Sequence, residues 1–402
     1  MQKYVSGNVG TRSDCSVSYS PHDNPLDVTI LSKVISMYGD RMEELTKKVL
    51  NDLHIQTGSI VVDDLGALPF VLQARIESAV KMATPQLKYT SLPEIKQKFQ
   101  YKSDRNRFRR SRLYLPGNQS KLMLNAGIHE PDAVILDLED SVSPSEKSSA
   151  RLIVRNALRV LDFFGAEKMV RINQGDLGIL DLEQIIPENV HLILIPKIES
   201  ADQLLWFEKS ISQISERVGR KEPVYLMPIL ESAKGILNAY EIASASNNNV
   251  ALAIGLEDYT ADIGTTRSLE GTESFFARSM IVNAARACGL QPIDTVFSDV
   301  SDTDGLIASV KEAKALGFDG KGCIHPRQIK PLHDAFAPSE TEISKAQKIV
   351  IAFDDAESKG LGVVSLGSKM IDPPVVKRAL HTIEMAISIG LLSANWKNKL
   401  TE

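Results

Sequence analysis

The chain has 402 residues, 43% of them hydrophobic, and a formal net charge of -5 with both signs interspersed. That length exceeds one small domain and accommodates a barrel of about 250 residues plus a smaller module. The absence of a broad basic field argues against nucleic acid, no apolar run reaches the ~20 residues that span a bilayer, and three scattered cysteines exclude a disulfide or zinc framework.

The opening Met1-Gln2-Lys3-Tyr4 leads into a polar stretch unlike a signal peptide, and with so few cysteines the expected home is the cytoplasm. Residues 1–84 read as one small module. Its start is rich in Gly, Ser and Asp up to Pro21 and Pro25, which also fits a disordered Ser-rich tail. Leu31, Val34, Met37, Tyr38, Met42, Leu45, Val49 and Leu50 then recur at helical spacing and predict an amphipathic helix over 30–53. A β-rich run follows at Ser59–Asp64, Gly66 makes a turn, and a helical pattern resumes over 68–83. Residues 85–108 carry Pro85, Pro93 and the charged run Lys102-Ser103-Asp104-Arg105, and they read as a solvated linker.

From Arg109 to the end at 402 the pattern changes. Short apolar runs alternate with helical stretches: Ser111–Pro116, Ala133–Asp140, Lys168–Asn173, His191–Lys197, Val224–Leu230, Val250–Asp258, Pro292–Asp299 and Gly322–Pro326. Eight β units with helical connections predict an α/β fold, a (β/α)8 TIM-type barrel behind a small α+β module.

Charge collects where these runs end. Glu139 and Asp140, Arg171, Lys197, Glu231, Glu257 and Asp258 all follow apolar strand interiors. In a TIM barrel those ends meet at one mouth, where the catalytic groups sit. Several carboxylates without clustered His or Cys favour a hard divalent cation, Mg²⁺ above all. Glu231 and Asp258, on adjacent strands, are the expected ligands, with Glu139 and Asp140 placed to hold water on the ion. Arg171 is the cation expected to grip a substrate carboxylate or an enolate oxygen. Arg109, Arg110 and Arg112 open the first strand and are expected to hold the phosphates of a coenzyme arm. The alternative for them is an exposed basic start to the domain. Lys197 among carboxylates should stay protonated, which disfavours a Schiff base. His325 reads as a structural histidine.

Arg112-Leu113-Tyr114-Leu115-Pro116-Gly117, Val134–Asp140, Val170-Arg171-Ile172-Asn173, Pro196-Lys197-Ile198-Glu199, Glu231-Ser232-Ala233-Lys234-Gly235, Gly255-Leu256-Glu257-Asp258 and Ile324-His325-Pro326 stand in the order of the citrate lyase beta chain. Over residues 108–385 the sequence resembles that branch of the HpcH/HpaI aldolase and citrate lyase family. The resemblance implies a Mg²⁺-dependent barrel that breaks or forms C–C bonds beside acyl thioesters. By position it makes Glu231 and Asp258 the metal ligands and Arg171 the substrate-contacting arginine, with Glu139 beside it. Lys369-Met370-Ile371-Asp372-Pro373-Pro374 resembles the family's C-terminal segment, which closes over a neighbouring subunit's site. Asp372 is then the expected acid/base, with a hydroxide on the metal as the alternative base. A homo-oligomer, a trimer by the same resemblance, follows.

The N-terminal Ile60–Leu68 and Val71–Arg75 resemble the citrate lyase acyl carrier, or gamma, chain, and Gly10-Thr11-Arg12-Ser13-Asp14 matches its opening in part. That family carries a phosphoribosyl-dephospho-coenzyme A arm on a serine in a Gly-Thr-x-x-Ser-Ser-Asp context. This chain is shorter there and offers one serine before the aspartate, so Ser13 is the implied attachment point, with Ser16, Ser18 or no modification as alternatives. The resemblance as a whole implies a carrier fused to a citryl thioester lyase working with a transferase (alpha) chain. Citramalyl and malyl thioesters, or a non-catalytic scaffold role, are the competing readings.

Overall fold

The computed structural model describes residues 2–8, 10, 12–268, 270–360, 363–366 and 369–397. Thr11 of the serine motif lies outside the described residues. The chain forms two compact units, Met1–Ile329 and Lys330–Glu402.

The first unit begins with a four-stranded sheet of β1 (Tyr4–Ser6), β2 (Cys15–Pro25), β3 (Asp27–Ser32) and β4 (Thr57–Asp64), in the order β1-β2-β4-β3. β2 runs antiparallel to β1 and β4, while β3 is parallel to β4. The parallel pair needs a crossover, supplied by helix α1 (Ile35–Asp52). Helix α2 (Pro69–Ala83) follows, with Pro at its start, where the missing N–H is harmless. Cys15, Val17 and Tyr19 alternate inward along β2 and pack with Ile60, Val62, Val49, Leu50 and Ile76. The Ser-rich opening is therefore strand from Cys15 onward rather than a disordered tail.

The barrel closes in the order β10-β11-β12-β5-β6-β7-β8-β9. Its strands are β5 (Ser111–Pro116), β6 (Ala133–Asp137), β7 (Glu167–Arg171), β8 (Leu192–Ile195), β9 (Tyr225–Leu230), β10 (Ala251–Ile254), β11 (Gln291–Asp294) and β12 (Gly320–Cys323). All neighbouring pairs are parallel. Every second residue faces inward, so Ala133, Ile135, Met169, Leu192, Leu194, Met227, Ile229, Ala251 and Ala253 fill the barrel. The outward residues lie under helices such as Lys147–Val160, whose Ala150, Ile153, Val154 and Ala157 are buried.

Charged pairs join the N-terminal module to the barrel within this unit. Buried Arg75 of α2 bonds both carboxylate oxygens of Asp14 (3.0 and 2.6 Å) and reaches Glu146 (3.0 Å) and Ser149 (2.9 Å). Arg155 bonds Glu77 through both prongs, at 3.1 and 2.8 Å.

The segment 85–108 is pinned rather than freely solvated. Tyr101 donates its hydroxyl to the Ala166 carbonyl (2.7 Å), and Ser103 bonds Glu167 at 2.5 Å. His191 accepts the Lys168 N–H at Nδ1 (3.0 Å), so Nε2 carries the proton donated to the Tyr101 carbonyl (2.8 Å). Burial pushes the His191 imidazole down to about 4. Its folded pKa lies below the ordinary value of about 6.5, so its contribution is complete above that value and is lost as pH falls toward 4. The melting temperature should drop across that window, and less steeply in His191→Asn, as a pH series of thermal melts will read.

In the second unit, helices Glu340–Ser358 and Pro373–Ser388 pack through Ala346, Ile349, Val350, Val376, Ala379 and Ile383. The hairpin of β13 (Val364–Leu366) and β14 (Lys369–Ile371) lies between them in sequence. Among the described residues, no helix is long and apolar enough to cross a membrane.

Candidate active site

The C-terminal ends of the barrel strands surround a cavity of about 270 Å³, lined among others by Arg112, Asp137, Arg171, Glu231 and Asp258. Arg171 ends β7 and is held by Asp137, the last residue of β6, through two parallel bonds of 2.7 Å. Its third nitrogen stands 2.9 Å from Glu139 Oε2 and 3.7 Å from Asp140. The guanidinium also lies over the Tyr114 ring, 5.4 Å from its centroid. Burial raises the Asp137 carboxyl, yet Arg171 outweighs it and holds Asp137 below its usual range.

Glu231 follows β9 and is 5% exposed. Burial, and then the adjoining Asp258 carboxyl, push it up to about 8. Asp258 lies in the first turn of helix Leu256–Asp262, because β10 ends at Ile254 and the chain turns at Gly255. Burial raises Asp258, but the proton shared with Glu231 and the Lys197 ammonium hold it below the usual value. Lys197 Nζ sits 3.3 Å from Asp258, 3.6 Å from Glu139 and 3.8 Å from Asp140. Burial lowers the Lys197 ammonium, and these three acids more than compensate, so it stays charged.

This donor set fits Mg²⁺. Among the described residues no group of three or more His, Cys, Asp or Glu forms a ready cage. Magnesium does not need one, since it keeps several waters and takes one or two carboxylates plus substrate oxygens. Two abutting carboxylates, one of them forced to keep a proton, are relieved by a cation between them. Glu139 Oε2 is buried and accepts no hydrogen bond, because the nearby Arg171 N–H is not aimed at it. Gly255 makes room for the pair: a Cβ there would stand 2.8 Å from Glu231 Cγ and 2.9 Å from its Cδ and Oε2. Gly255→Ala should therefore displace Glu231 and weaken Mg²⁺ binding by about 10–100-fold, the range for losing a ligand's support. Calorimetric titration with Mg²⁺ checks this.

Residues 110–326 match the family described as HpcH/HpaI aldolase/citrate lyase. The chain belongs to that family. Residues 1–83 match an acyl-carrier family described as malonate decarboxylase delta subunit (MdcD). Citrate lyase subunit beta of Haemophilus influenzae is 41% identical over 285 residues, covering 70% of this chain and 98% of that protein. The human mitochondrial citramalyl-CoA lyase is 35% identical over 294 residues, covering 70% of this chain and 86% of its own length. Among solved structures, CitE from Mycobacterium tuberculosis in complex with magnesium, acetoacetate and coenzyme A superposes with a TM-score of 0.59. It is 30% identical and covers 70% of this chain and 99% of that one. The TIM-type barrel and the carbon–carbon lyase family expected from the sequence are thus both present.

The HpcH/HpaI barrel brings Glu139, Arg171, Glu231 and Asp258 together, but not Arg109. That residue precedes β5, at the opposite end of the barrel from the mouth, and is fully buried. Its guanidinium bonds both oxygens of buried Glu167 at 2.7 and 2.9 Å, so it cannot grip a coenzyme phosphate. Arg109→Ala should cost about 3–5 kcal/mol of stability by stranding the Glu167 charge, with coenzyme affinity unchanged. Denaturation alongside the KM of the thioester separates the two roles. Arg112 faces into the barrel rather than outward, and Arg110 is paired with Asp132 at 2.9 Å. His325 Nδ1 accepts the Arg327 N–H at 3.1 Å and caps the short turn that follows β12.

Ser13 stands in a left-handed turn (φ 62°), its carbonyl accepting the Ser120 hydroxyl at 2.8 Å. Ser16 and Ser18 are buried in β2, so of the three serines Ser13 is the accessible one. Asp372 belongs to the second unit, where it caps helix Pro373–Ser388 by accepting the Val375 N–H at 3.2 Å. Asp137, Tyr114 and Gly255 are the site residues not singled out from sequence. Inward parity finds Asp137: Ala133, Ile135 and Asp137 share one face of β6.

Proposed function

We propose that this chain is a Mg²⁺-dependent lyase that cleaves a citryl thioester into oxaloacetate and an acetyl thioester. The observation that carries the reading is the Glu231–Asp258 carboxyl pair facing a fixed Arg171 across one cavity at the barrel mouth. Glu231 and Asp258 hold the ion, and Glu139 orients the substrate side. When bound, Mg²⁺ supplies Lewis-acid polarisation of the substrate's hydroxyl and adjacent carboxylate. Asp372, offered by a neighbouring copy, takes the hydroxyl proton. The electrons of the C–C bond pass to the thioester half as an enolate, and the carbinol carbon becomes the ketone of the oxo acid. Arg171, already oriented by Asp137, stabilises the charge on the enolate oxygen without reorganising. Protonation of the enolate carbon completes the reaction. The charged Lys197 is unsuited to a Schiff base and serves to balance the acids around it.

Residues 1–84 act as the acyl carrier, 85–108 connect, and 109–402 form the lyase with its C-terminal extension. A phosphoribosyl-dephospho-coenzyme A arm on Ser13 would present the thioester at high effective concentration. A transferase (alpha) chain loads the citryl group, and the lyase works as a cytoplasmic homo-oligomer, a trimer. The citramalyl reading is favoured by one observation, the likeness to human citramalyl-CoA lyase. Purified protein with Mg²⁺ is offered citryl-, citramalyl- and malyl-CoA while oxaloacetate, pyruvate and glyoxylate are followed. Oxaloacetate from the citryl compound is expected. Pyruvate or glyoxylate alone would replace the substrate assignment.

A further inference from the structure

We propose that Arg112 sets substrate choice by binding a second carboxylate on the oxo-acid half, so that the product released is a dicarboxylic 2-oxo acid. This rests on the lyase reading above and specifies its substrate class. Arg112 is the second residue of β5, faces inward, is 2% exposed, and lines the cavity shared by Glu231, Asp258 and Arg171.

Its partners are poor for a buried cation. One terminal nitrogen meets the Met227 sulfur at 3.2 Å, the other donates to the Asp294 carbonyl at 3.3 Å, and Nε has no hydrogen-bond partner. Thioether sulfur is a weak acceptor. The Asp294 carboxylate is already taken by Lys321 at 2.8 Å and by Arg278 at 3.1 and 3.2 Å. The other buried arginines are neutralised: Arg75 by Asp14, Arg109 by Glu167, Arg155 by Glu77 and Arg278 by Asp294. Arg112 departs from that pattern inside the site itself. An unpaired buried charge is costly, and a ligand anion would complete it.

The position selects the ligand. Ala253 and Gly322 bring no long side chain to the cavity, and Arg112, the second residue of β5, enters it from nearer the start of its strand than the carboxylates that follow the strand ends. A 2-oxo acid held at the mouth by its first carboxylate can extend a second one to Arg112. The oxo acid from a citryl thioester has that second carboxylate, whereas the one from a citramalyl thioester ends in a methyl and the one from a malyl thioester in hydrogen. An apolar group there would leave the guanidinium buried and unpaired, which rejects it. A coenzyme phosphate, attached to the other half of the thioester, has no claim on this position.

The test compares kcat/KM for citryl- and citramalyl-CoA in wild type, Arg112→Met and Arg112→Gln, with Mg²⁺ present. The citryl-to-citramalyl ratio should fall about 100-fold or more in both variants, and Arg112→Lys should restore part of it. Calorimetry with oxaloacetate and pyruvate on the same proteins should show preferential loss of oxaloacetate affinity. Arg112→Met should also melt at or above the wild-type temperature, because it removes an unpaired buried charge. An unchanged ratio with unchanged oxaloacetate affinity in either variant overturns the proposal. If wild type cleaves none of the thioesters, the lyase reading fails by itself, and the oxaloacetate-against-pyruvate comparison still decides the role of Arg112.

Discussion

Replacing Glu231 with Gln or Asp258 with Asn should reduce kcat/KM by about 10³-fold or more, because in the proposed mechanism several kcal/mol of Lewis-acid stabilisation depend on the ion this pair would hold. The two side chains are nearly isosteric with their replacements, so folding should survive. Glu231→Gln relieves a carboxyl that burial and Asp258 already push up to about 8, and it should leave thermal stability intact without Mg²⁺. The signature is therefore loss of activity and of Mg²⁺ binding together, with an unchanged melt in EDTA. Full activity in both variants would remove the carboxyl pair from the mechanism.

Arg171 should give the second large effect, and a different one. Arg171→Met removes the group that the proposed mechanism sets against the enolate oxygen, and should cost about 10²–10³-fold in kcat by analogy with a lost oxyanion donor. It also strands Asp137, 1% exposed and bonded twice to this guanidinium, along with nearby Glu139. Stranding a buried charge costs about 3–5 kcal/mol, so the variant should melt lower as well. Arg171→Lys should not restore activity, because an ammonium cannot reproduce the parallel bonds to Asp137. Joint measurement of kcat and melting temperature in EDTA distinguishes this residue from Glu231, whose replacement should lower activity and leave that melt unchanged.

The sequence made the barrel legible because its strands are short apolar runs ending in charge. Met227 and Ile229 share the inward face of β9 and Glu231, just past its end, continues the same period, which leads from core to site. The apolar pattern overruns several strand ends for the same reason. Apolar Leu256 continues the β10 pattern, yet Gly255 lets the chain turn into a helix that carries Asp258. Arg109 and Arg112 show the limit of composition. Three arginines at a domain start look like an exposed basic patch, while burial of Glu167 and the inward parity of β5 send two of them elsewhere. The N-terminal strands were masked by serine. Cys15-Ser16-Val17-Ser18-Tyr19 alternates with period two, but small polar residues on the second face lower its apolar content.

Lyase chemistry at the mouth of this barrel should depend on magnesium. The direct measurement is oxo-acid release from citryl-CoA by the full chain with Mg²⁺, with EDTA, and with Mg²⁺ restored. Oxaloacetate that appears with the ion, stops with the chelator and returns on re-addition is the predicted result. Release that continues undiminished in EDTA would contradict it.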